Sequence, residues 1–160
     1  MEFHALPQPE EISLREREDA MGAYFMMFAS LAAGLPLPFI NILASIIYYY
    51  VNKKTGRFVQ FHSMQALIAH IPVAILNTII VIWGFLIMFY DYYMNVNFKA
   101  FATMAITANL VYIVFSVIAA IKAHKGHFYY FWFFGKLAYI SIFKVKNDTI
   151  NEGPVNRAPL

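Results

Sequence analysis

Between Met21 and Val51 the chain carries no Asp, Glu, Lys or Arg, and two further apolar blocks follow, from Phe61 to Tyr90 and from Lys99 to Ile121. Uncharged blocks of this length belong in lipid. Where water is absent, every backbone amide must be paired inside its own segment or bundle, which a helix achieves and an open sheet does not. The expected fold class is therefore all-α, a polytopic helical membrane bundle. Composition agrees, with 61% hydrophobic, 18% aromatic and only 13% charged residues, against roughly 25% charged in soluble domains.

As a single helix the first block would be about 46 Å long at the α-helical rise, too long for a hydrocarbon core of about 30 Å. Gly34-Leu35-Pro36-Leu37-Pro38 supplies the break, because two residues there lack an amide proton and a glycine stands beside them. Two short helices, 21–34 and 38–51, are expected as a hairpin or as a pair of thin, tilted spans. Pairs of small residues four apart, Ala29 with Ala33 and Ser30 with Gly34, would pack closely there. After the basic loop Asn52 to Arg57 comes a helix over 62–90, which Pro72 should kink. Asp91 to Phe98 is a short polar connection rimmed by Tyr90, Tyr92 and Tyr93, an interfacial aromatic belt. A helix over 99–121 then ends in Lys122-Ala-His-Lys-Gly126, a cationic stretch with a glycine stop. Seven consecutive aromatic residues open the segment 128–143, which also contains Lys136; it reads as an in-plane interfacial helix. Residues 1–20 form a polar N-terminal tail with a short surface helix, 21–143 the membrane domain with three to four membrane segments, and 144–160 a flexible C-terminal tail.

If the first block is a hairpin, eleven of the twelve Lys and Arg residues fall on one side and only Lys99 opposite. The positive-inside rule then places both termini in the cytoplasm, with the chain multi-pass in a bacterial inner membrane. The net charge of +3 is small, and its basic residues flank the spans, which explains them as loop retention; no nucleic acid is expected as a partner.

The chain has no cysteine, hence no disulfide or thiolate chemistry. It contains no glycine-rich phosphate loop, nucleophile elbow, zinc-protease motif or cluster of carboxylates. Asp91 is the only acid between Met21 and Ile121. We therefore expect no enzyme and no cofactor. His62, His124 and His127 flank the cytoplasmic helix ends, but three imidazoles without acidic or thiolate company make a poor metal site, so no metal is expected either.

Phe61-His62-Ser63-Met64-Gln65 is the most distinctive local pattern. His62 and Gln65 share one helical face near a helix start, where unpaired amides collect. They fit either a cap tying the helix to a neighbouring loop or a recognition site for a partner. With the aromatic run, the candidate partner-binding set is His62, Gln65, Phe61, Phe128 and Trp132. Polar residues at membrane depth form three stripes: His70 with Asn77; Asn41 and Ser45, followed by Tyr48 and Asn52; and Asn109 with Ser116. Such groups face the bundle interior, either to hydrogen-bond helices together or to line a wet cleft.

The stretch Phe58-Val-Gln-Phe-His-Ser-Met-Gln-Ala-Leu67 resembles the signature of the Tic-twenty-like family, small four-span membrane proteins related to a subunit of the chloroplast inner-envelope import translocon. Ile118 to Gly126, with Gly135-Lys136-Leu137-Ala138 after the aromatic run, is similar to that family's C-terminal end. Phe61, His62, Gln65, Ala66, Lys122 and Gly126 carry the resemblance. It implies a helical bundle linked to protein translocation. The expected function is a small subunit or assembly factor of an inner-membrane complex for protein export or insertion, with membrane-protein partners or copies of itself in the lipid bilayer. The alternative is a small-solute or ion transporter using the stripes around His70.

Overall fold

A computed structural model describes residues 3–32, 34, 38–90 and 92–145. Pro36, Asp91 and the C-terminal tail from residue 146 lie outside the described residues. Within them the fold is all-helical, with one isolated backbone bridge between Phe3 and Lys144. The helices are α1 (Leu14–Phe25), α2 (Ala29–Ala32), α3 (Pro38–Val51), α4 (Arg57–Phe89), α5 (Val96–His124) and α6 (Trp132–Phe143).

Helix α1 starts well before Met21, where a short surface helix was expected, and runs on without a break into the first apolar block as far as Phe25. A capping box sets its start. Ser13 Oγ accepts from the Glu16 amide at 3.3 Å, and the Glu16 carboxylate accepts from the Ser13 amide at 3.0 Å. A cap of this kind contributes about 1 kcal/mol, enough to start a helix in a charged segment. The residues before it are also pinned. Arg17 donates to the carbonyls of Ile12 and Pro9 at 3.0 and 2.6 Å, the His4 amide donates to the Phe143 carbonyl at 2.9 Å, and Phe3 stacks on Tyr139.

A 3-10 turn over Met26–Phe28 separates α1 from α2, and α3 returns alongside both as the second arm of a hairpin. The Tyr48 hydroxyl closes it, donating to the Asp19 carbonyl at 2.8 Å. Fourteen residues make α3 only about 21 Å long, short of a hydrocarbon core. Two helices among the described residues, α4 and α5, are long and apolar enough to cross a membrane.

Helices α4 and α5, about 50 and 44 Å long, pack as an antiparallel pair joined by Tyr90–Asn95. α4 runs unbroken through Pro72. Asn95 caps α5, accepting from the Phe98 amide at 2.9 Å. Their two halves differ. The buried residues of α4 all lie between Phe58 and Ala74, where α1, α3 and α6 wrap it, whereas its far half leaves Ile75, Ile79, Ile82 and Phe85 exposed. Small residues make the wrapped end possible: Ala20 and Ala23 of α1, Ala66 and Ala69 of α4, and Ala119, Ala120 and Ala123 of α5 are all buried in one cluster, letting backbones approach closely. The φ of +69° at Gly34 makes it a turn residue, and a Cβ there would meet nothing within 4 Å among the described residues; Ala33 and the Ser30 side chain, its expected small-residue neighbours, lie outside them.

Gly126 ends α5 in a Schellman arrangement: its amide donates to the Ala123 carbonyl and the His127 amide to the Lys122 carbonyl, both at 2.9 Å, with φ at +76°. Left-handed backbone of this kind favours glycine. A side chain would also press on Pro9 and Arg17.

Candidate functional site

The wrapped end is built around the Tyr24 hydroxyl. Gln65 Nε2 donates to it at 2.8 Å, and it shares a second hydrogen bond with His62 Nδ1, also at 2.8 Å. Gln65 extends the network to the segment before α6, with Nε2 donating to the Tyr129 carbonyl at 2.9 Å and Oε1 accepting from the Phe131 amide at 3.0 Å. Three pieces of chain far apart in sequence meet at one glutamine.

Aromatic rings enclose this polar centre. Phe58 and Phe61 meet the His62 ring edge-on, Phe128 stacks on it, and Phe61 also packs against Tyr130 and Phe143. His62, Gln65 and Phe61 are each 0% exposed. Gly135 is forced, because a Cβ there would lie 2.7 Å from the Tyr130 Cα and 2.8 Å from Gln65 Oε1. Tyr24 and Gly135 complete the site; Tyr24 carried no motif, being a tyrosine in an apolar block, and Gly135 stood only in the Gly135–Ala138 stretch of the resemblance, with no role attached to it.

The arrangement is a latch between α1, α4 and the start of α6. Of the five residues expected to meet a partner, His62, Gln65 and Phe61 are enclosed and Phe128 is half-buried. Only Trp132 stands out, 99% exposed. The cap alternative comes nearer the geometry, with a helix and a loop rather than the helix's own amides as the partners.

The polar stripes are largely spent on the protein itself. Asn77 and Asn109 exchange two amide hydrogen bonds, at 3.0 and 2.7 Å, joining α4 to α5, and Asn109 also donates to the Ala105 carbonyl. Ser45 donates to the Asn41 carbonyl and Asn52 to the Tyr48 carbonyl, within their own turns. His70 is buried against the Tyr112 ring, neither nitrogen having a hydrogen-bond partner among the described residues, and Ser116 is buried. Among the described residues no three His, Cys, Asp or Glu side chains gather as metal ligands; His124 and His127 are exposed while His62 is enclosed. Burial, reinforced by the adjacent Tyr139, raises the Tyr130 phenol above its ordinary value, keeping that hydroxyl neutral.

Fold and site together define a small helical protein with two membrane-length helices, latched at one end. The chain belongs to the magnetosome magnetite crystal formation protein family (MamF/MmsF), whose sequence pattern matches residues 18–138. No curated protein and no solved structure matches it. The family match replaces the Tic-twenty-like resemblance, and with it the export or insertion role; the transporter alternative also finds no support. The cause of the misreading is physical. Phe61, His62, Gln65 and Gly126 build the latch and the α5 stop, so they report how the chain folds rather than what it does.

Proposed function

We propose that this chain is an integral protein of a magnetosome membrane that takes part in forming the magnetite crystal. The observation that carries the reading is the family match, which extends from α1 to α6 and so takes in both long helices and the whole latch. In this reading α4 and α5 cross the bilayer, the α1–α3 hairpin dips into it from the latched side, and the basic loops hold that side in the cytoplasm. The turn Tyr90–Asn95, with Tyr93 89% exposed, then faces the crystal.

The role is structural rather than enzymatic: His62, Gln65, Asn77 and Asn109 are occupied in tying helices together. Iron is the compartment's cargo, and the protein acts as part of the wall within which the crystal grows, with other membrane proteins or copies of itself as neighbours. Deleting the gene and measuring crystals by electron microscopy tests this. Smaller or misshapen crystals, restored by the intact gene, are expected; crystals of unchanged size, shape and number would overturn the reading.

A further inference from the structure

An apolar groove of about 350 Å³ lies between α4, α5 and the start of α6, lined by Pro72, Leu76, Ala108, Phe115, Phe134 and Trp132 among others. A second pocket, of about 390 Å³, lies on the other side of Trp132, bordered by Leu6, Tyr130, Lys136 and Tyr139. Trp132 thus lines both an oily groove and a largely apolar pocket that Lys136 and the Tyr130 and Tyr139 rings border. Lys136 is exposed and forms no ion pair among the described residues.

We propose that the two together bind one anionic phospholipid, an acyl chain lying in the groove and the phosphate against Lys136. Charge argues for the headgroup, because an exposed lysine at a membrane surface attracts anionic lipid. The neutral phenol of Tyr130 supplies a hydrogen-bond donor beside it, and a tryptophan at the junction suits the interface between headgroup and hydrocarbon. The site rests on the membrane reading above and is independent of any role in crystal growth.

The chain has two tryptophans, which allows both claims to be read separately. Full-length Trp83→Phe, leaving Trp132, and Trp132→Phe, leaving Trp83, are placed in phosphatidylcholine vesicles containing either brominated phosphatidylglycerol or brominated phosphatidylcholine. Trp132 should be quenched at about fivefold lower content of the anionic lipid, the factor one lysine provides. Lys136→Gln, on an exposed position, and Ala108→Phe, which fills the groove, should each bring the preference close to one. Equal quenching by the two lipids, or a preference that survives Lys136→Gln, would overturn the site, as would Trp132 shielded from both lipids by a second copy of the chain. Quenching of Trp83 reports membrane insertion itself, so its absence would strike the membrane reading, while its presence without headgroup preference at Trp132 sinks only the lipid site.

Discussion

At the scale of single residues, the Tyr24 hydroxyl joins two side chains, accepting from Gln65 and sharing a hydrogen bond with His62 Nδ1. Removing it while keeping the ring strands two buried polar groups, each costing about 1–3 kcal/mol when left unpaired. Tyr24→Phe should therefore lower the thermal unfolding midpoint in detergent, with little further loss when His62→Phe is added. Fully additive losses would mean the two do not act through one bond. Gly135→Ala meets backbone as well as side chain and cannot be relieved by a rotamer change; it should free the start of α6, seen as faster proteolysis within residues 127–131. Unchanged cleavage would contradict the close approach. Of these residues His62 and Gln65 were legible as a pattern, whereas Tyr24 lies 38 positions from His62, a distance no local motif spans.

Among the elements, the α4–α5 pair depends on the mutual amide bonds of Asn77 and Asn109. Polar pairs between membrane helices contribute about 0.6 kcal/mol on average and up to roughly 1.7, and losing one partner leaves the other unsatisfied. Asn77→Leu alone should destabilise more than Asn77→Leu with Asn109→Leu, measured by denaturation in mixed micelles; a double variant weaker than the single would refute mutual satisfaction. At the N-terminus, Ser13→Ala should cost about 1 kcal/mol through loss of the α1 cap, visible as reduced helicity on heating, and no change would remove the cap from the account. The boundaries teach a specific lesson. Ser13-Leu-Arg-Glu16 is a capping-box sequence that marks where α1 begins, whereas the charged composition alone indicated a short surface helix without fixing its start or its continuation into the apolar block. The α5 stop and the all-helical class were readable because glycine and apolar runs act locally. That α3 is too short to cross was implicit in its length.

For the whole molecule, the two long helices are wrapped at one end and bare at the other, a division suited to a protein half in the headgroup layer and half in lipid. The sequence pattern could show apolar length and charge asymmetry, but not the occupation of the signature residues in folding, which misdirected the reading of function. Central to the account is that the chain meets the crystal through one short aromatic turn and keeps its loops and latch on the other side. The absence of native cysteine makes this directly measurable with single substitutions Lys54→Cys, Tyr93→Cys and Lys125→Cys and a membrane-impermeant maleimide on intact isolated magnetosomes, whose outer surface is the cytoplasmic one. The account predicts that positions 54 and 125 react at once and position 93 only after detergent. Labelling of position 93 on intact vesicles, or opposite behaviour of positions 54 and 125, would contradict it.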